Sequence, residues 1–74
     1  MTIRQLKNVT ELKDGQRVRI NDMRKLVTFE SDYDWCFEPD YDYEGYNYDE
    51  VERIMRLSVG GLKFDSRWLT IWAH

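Results

Sequence analysis

Between Glu30 and Glu52 the chain carries ten carboxylates and not one Lys or Arg. Such a run limits how the chain can fold. Exposed strand faces normally mix signs, because like charges packed on neighbouring strands repel one another. The flanks have the opposite sign. Residues 1–29 hold seven basic side chains against three acidic, and residues 53–74 hold four against one. A net charge of −3 therefore conceals a −10 section between flanks of +4 and +3. All five tyrosines, Tyr33, Tyr41, Tyr43, Tyr46 and Tyr48, fall in the same section. A stretch that retains this repulsion suggests a partner that neutralises it.

Chains of 74 residues bury only about 60% of the surface they expose when unfolded. One domain over residues 1–74 is expected, with the acidic, Tyr-rich part at 30–50 as an elaboration of it. Hydrophobic residues at 42% and aromatics at 15% are enough for a folded globule. No run reaches the roughly 18 apolar residues of a membrane span, and Met1 to Lys7 lacks a secretory apolar stretch. A cytoplasmic protein with no membrane partner is expected. Cys36 is alone and cannot form an internal disulfide, and with one histidine, His74, soft metal ligands are too few for zinc. No metal and no cofactor are expected.

The flanks supply the scaffold. Asp14-Gly15 marks a tight turn into the alternating run Gln16 to Ile20, with Val18 and Ile20 inward. Lys25 to Phe29 reads as the next strand. Met55, Leu57 and Val59 alternate with polar residues up to Gly60-Gly61, which predicts a hairpin whose turn is the glycine pair, returning through Leu62 to Phe64. Trp68 to Trp72 is the final strand, with Trp68, Thr70 and Trp72 on one face and Leu69 and Ile71 on the other. Val51, Ile54, Met55 and Ser58 equally fit a helical spacing, so strand and short helix both stay open near 49–56.

Leu12 to Ile20 and Met55 to Trp72 together resemble an SH3-like small β-barrel. The resemblance covers about half the chain and is architectural. It implies a mainly β fold, a small barrel or a strongly bent antiparallel sheet of about five strands.

In the acidic section the even positions 30 to 44 are carboxylates except Cys36, and five of the odd ones are aromatic. In an extended chain this would set carboxylates on one face and rings on the other, with Pro39 forcing a bend. Same-face residues recur every 6.6 Å or so, against roughly 1.7 Å per charge along duplex DNA. Two staggered acidic strands, extended by Asp49, Glu50 and Glu52, would approach one phosphate-bearing strand. In this respect the section resembles the small acidic DNA-mimic inhibitors by which bacteriophages and mobile elements block restriction, CRISPR or other nucleic-acid-binding machinery. The resemblance implies an inhibitor that occupies a basic surface of a nucleic-acid-binding protein. Its contact residues would be Glu30, Asp32, Asp34, Trp35, Glu38, Asp40, Tyr41, Asp42, Tyr43, Glu44, Tyr46, Tyr48, Asp49 and Glu50. The bland alternative is a solvated acidic face, with Trp35 and Phe37 in the core.

Other chemistry has less support. Asp40 to Gly45 begins like a calcium-binding EF-hand loop, but Val51 stands where the bidentate Glu should be. A terminal His74 and the lack of nucleophile or phosphate-loop motifs point away from an enzyme. A rival binding face is Arg17, Arg19, Arg24 and Lys25, which would contact nucleic acid or another protein directly. These same cations also suit pairing with the carboxylates of their own chain. Direct nucleic-acid binding is not expected, and self-association is left open.

Overall fold

The computed structural model describes residues 1–37 and 48–74. Helix α1 spans Ile3–Val9, strand β1 Arg17–Asp22, β2 Val27–Glu30, helix α2 Tyr48–Met55, β3 Val59–Phe64 and β4 Trp68–Ala73. The domain is sheet-rich, as expected, and its four strands form one sheet in the order β2-β1-β4-β3. The central pair, β1 and β4, runs parallel from Arg17 opposite Trp68 to Asp22 opposite Ala73, and both outer pairs are antiparallel. With β2 and β3 as opposite edges the described strands make an open mixed sheet, where a closed barrel or a bent antiparallel sheet of about five strands was expected.

Alternation fixes the faces. Val18 and Ile20 of β1, Phe29 of β2, and Leu69, Ile71 and Ala73 of β4 point to one side. Ile3 and Leu6 of α1 and Ile54 and Met55 of α2 pack against them, with Phe37 completing the buried cluster. Each fully buried Ile or Leu here contributes about 1.5–3 kcal/mol. The other face carries Arg17, Arg19, Asn21, Thr28, Glu30, Trp68, Thr70 and Trp72.

Helix α1 was not anticipated from the sequence. Thr2 Oγ1 accepts from the Gln5 backbone N–H at 3.2 Å, and Gln5 Oε1 accepts from the Thr2 N–H at 2.9 Å, a reciprocal capping box. The Thr10 hydroxyl donates to the Leu6 carbonyl at 2.6 Å at the far end. Seven residues are too few for a stable helix in water, so packing of Ile3 and Leu6 holds this one. Near 49–56 the helical alternative is the one found: Ile54 and Met55 are buried together, and Val51 packs beside them.

The Asp14-Gly15 turn forms as expected, with the Gln16 N–H donating to the Lys13 carbonyl and Gly15 at φ 84, as a type II turn requires. The glycine pair does not form the predicted turn. Gly60 and Gly61 lie inside β3 at a bulge, neither has positive φ, and Met55 ends a helix instead of a strand. A Cβ on Gly60 would come within 3.3 Å of the His74 ring and 3.4 Å of the Trp72 carbonyl, so close approach to β4 explains the residue. The chain reverses instead at Asp65 to Arg67. There Asp65 Oδ1 accepts the backbone N–H of both Arg67 and Trp68 at 2.8 Å. Those two N–H groups hold the Asp65 carboxyl below the usual carboxylate range.

Candidate functional site

The acidic section leaves β2 through a buried serine. The Ser31 N–H donates to the Val18 carbonyl, and Ser31 Oγ accepts the Val18 N–H, both at 2.8 Å. The Ser31 carbonyl is thereby free to accept from Arg17 Nε at 2.7 Å. A side chain thus replaces one rung of the ladder, and the strand stops. From Asp32 the chain folds into a small loop: the Asp32 N–H donates to the Cys36 carbonyl, Cys36 N–H to Tyr33, and Asp34 N–H to Gln16, with Asp34 at φ 48.

Over the described residues 32–37 the expected two-faced extended register is therefore absent, and its positions 38–44 lie outside the described residues. A left-handed residue and two short-range backbone bonds cannot coexist with period-two alternation. Asp32, Tyr33 and Asp34 are all exposed, although they alternate in type. Trp35 is half-buried against the core, and its indole N–H, itself buried, has no acceptor among the described residues. Phe37 is fully in the core. The bland assignment to the core is met by Phe37, while Trp35 packs against the core without being enclosed in it.

Of the proposed contact residues, Glu38, Asp40, Tyr41, Asp42, Tyr43, Glu44 and Tyr46 lie outside the described residues, as does most of the EF-hand-like stretch. Tyr48 opens α2, followed by Asp49 and Glu50, both exposed in its first turn. Carboxylates there favour the helix by facing its positive end. Asp32 and Asp34 sit beside the N-terminal end of β1, where the Asp34 backbone forms an isolated parallel β-bridge with that of Arg17.

Arginines of the flanks meet some of the acids. Arg19 Nε bonds Glu30 at 2.9 Å, and Arg4 Nη2 bonds Glu52 at 2.9 Å, both pairs partly exposed and each worth about 0–1 kcal/mol. Arg17 and Arg19 also lie over the Trp68 ring, 4.5 and 4.2 Å from its centroid. The deepest pair joins Arg53 Nη1 of α2 to Asp22 Oδ2 at 2.8 Å, with Asp22 only 1% exposed. Its other oxygen accepts the N–H groups of Arg24 and Lys25 at 3.0 and 3.2 Å. Burial alone would push this carboxyl up; the Arg53 hydrogen bond, the Lys25 and Arg24 N–H groups and the Arg53 charge outweigh it, so its pKa lies below the ordinary 3.8. Sequence reasoning missed Asp22 although it continues the inward parity of Val18 and Ile20, because a carboxylate at a strand end is ordinarily solvated.

In the acidic section Asp32, Asp34 and Asp49 are outward and form no ion pair among the described residues. The supposed basic face does not form one stripe. Arg17 and Arg19 lie on the face of the sheet opposite the core in internal contacts, while Arg24 and Lys25 stand exposed in the β1–β2 turn. Among the described residues no cluster of His, Cys, Asp or Glu is arranged to hold a metal ion, and no helix is long and apolar enough to cross a membrane. The chain matches no family model, no curated protein and no solved structure.

Proposed function

We propose that this protein is an acidic binding protein that docks on a basic, nucleic-acid-binding surface of a partner protein and blocks it, using the section from Glu30 to Glu50. The observation that supports this reading is the disposition of the arginines. Arg4, Arg17, Arg19 and Arg53 are committed to Glu52, Ser31, Glu30 and Asp22, while Asp32, Asp34 and Asp49 stand outward without an ion pair among the described residues. Carboxylates on such a rim steer encounter with a cationic surface, and the tyrosines of the section supply contact area. Direct nucleic-acid binding through Arg17, Arg19, Arg24 and Lys25 is the weaker reading. Half of that set is already in contact with Trp68.

The test is a capture from cell lysate, followed by competition against a labelled duplex oligonucleotide for the captured protein. The wild-type chain should leave the oligonucleotide alone and displace it from the partner, with association slowing as salt rises. Two neutral variants, Asp32→Asn with Asp34→Asn, and Asp40→Asn with Asp42→Asn and Glu44→Gln, should each compete more weakly. Asn tolerates the left-handed backbone at position 34, so the first variant keeps its loop. Undiminished competition by both variants refutes the reading. So does an oligonucleotide shift by the protein itself that disappears with Arg17→Glu and Arg19→Glu.

A further inference from the structure

A second surface lies at the opposite end of β1 from Asp34, roughly 16 Å away along a six-residue strand. In the β1–β2 turn Leu26 takes φ 55 and is 82% exposed. Left-handed backbone is the province of Gly, Asn and Asp, and a Leu there combines strain with an isobutyl group in water.

The neighbours of Leu26 make the position intelligible. Met23, Val27 and Trp72 are also exposed, and with Leu26, Asn21, Thr28 and Asp22, whose carboxylate is taken up by Arg53 and the turn N–H groups, they line a cavity of about 320 Å³. The Thr28 hydroxyl donates to Asn21 Oδ1 at 2.8 Å, which leaves the donors of the Asn21 amide nitrogen available at the cavity. Arg24 and Lys25 stand beside it, exposed and without ion pairs among the described residues. Their backbone N–H groups are fixed by Asp22, so the turn is organised before anything binds. The cavity thus combines the apolar side chains of Met23, Leu26, Val27 and Trp72 with the Asn21 amide donors, and two cations of the turn flank it.

We propose that this cavity is a docking site for an acidic peptide segment of another protein, anchored by an apolar side chain between Leu26 and Trp72, with its carboxylates toward Arg24 and Lys25. Charge complementarity selects an anionic occupant, and the concave, partly polar floor suits one or two side chains better than a lipid surface. This proposal does not rest on the reading of the acidic section, and the two can fail separately.

The experiment titrates the full chain into a short labelled peptide alternating Asp and Leu, following anisotropy and Trp emission. Peptides alternating Asp with Ser, or Lys with Leu, should bind at least about tenfold more weakly. Leu26→Gly suits the backbone and should leave the thermal midpoint equal or higher, yet weaken the Asp–Leu peptide by about fivefold or more. Arg24→Glu with Lys25→Glu should weaken it at least about tenfold and flatten its salt dependence. Equal binding of the Asp–Leu and Asp–Ser peptides, or no change in Leu26→Gly, overturns the proposal. It is also overturned if phosphatidylserine-containing vesicles bind where the peptide does not, or if sedimentation reveals a dimer that Leu26→Gly dissolves. Those results would assign the surface to a membrane or to a second copy.

Discussion

Asp22 and Arg53 should respond unequally to removal, because only one of them can reach water. Asp22 is buried to 1% exposure, whereas about a third of the Arg53 side chain is accessible. In Asp22→Asn the amide oxygen can still accept from Arg24 and Lys25, so the loss is the charge-assisted bond to Arg53, about 2 kcal/mol. The released guanidinium turns to solvent. In Arg53→Met the carboxylate stays buried with two backbone donors as its remaining partners. Breaking a fully buried pair costs about 3–5 kcal/mol, and the exposure of Arg53 discounts this to about 3. Urea titrations at neutral pH followed by tryptophan emission measure both. A 2 kcal/mol loss is roughly a 30-fold change in the folding equilibrium and should lower the thermal midpoint by about 8–16 °C in a domain of this size. The double variant should lose about 1–2 kcal/mol less than the sum of the singles. The pH dependence has a defined sign. The folded pKa of Asp22 lies below 3.8, so its stabilisation is fully present above the unfolded value and is lost as pH falls through the folded one. The stability gap between wild type and Asp22→Asn should therefore close in acid. An Arg53→Met loss smaller than that of Asp22→Asn, or a gap unchanged well below pH 3.8, would refute the assignment of the Asp22–Arg53 pair as the tie between hairpin and helix.

Three further outcomes follow from local geometry. Ser31→Ala leaves the buried Val18 N–H without its acceptor and should destabilise by about 2 kcal/mol in the same titration, while Ser31→Thr keeps an acceptor and should lose less. Thr2→Ala removes one half of the capping box and should cost about 1 kcal/mol, with amide exchange accelerating first in Ile3 to Leu6. Leu26→Gly relieves a left-handed leucine and should stabilise by about 0.5–1 kcal/mol, seen as a higher urea midpoint with unchanged slope.

The strands legible in advance were those whose signal is local. Val18 and Ile20 alternate with arginines, and Leu69 and Ile71 alternate with Trp68, Thr70 and Trp72, so the inward faces of β1 and β4 follow from period two alone. That these two strands lie side by side and parallel does not follow, because adjacency depends on where the intervening chain can pass. The glycine pair misled for a related reason. Gly-Gly is a turn signal in isolation, but here the missing Cβ atoms matter because His74 and Trp72 approach β3. Helix α1 was overlooked although Thr2, Gln5, Ile3 and Leu6 spell its cap and its buried stripe, because a seven-residue helix has little intrinsic stability to announce.

For the candidate site, composition and charge order by themselves determined that one section is anionic and its flanks cationic, since charge is a property of residues and survives any fold. What those charges face was decided only by the tertiary structure. Arg19 and Glu30 meet because β1 and β2 align them, and Asp22 is an internal tie because α2 carries Arg53 over the end of the sheet. Asp32 and Asp34 are outward because Ser31 ends the strand beneath them. A carboxylate is the same group in all three settings; burial and the nearest donor, both set by chain segments far apart in sequence, decide whether it holds the fold together or faces outward.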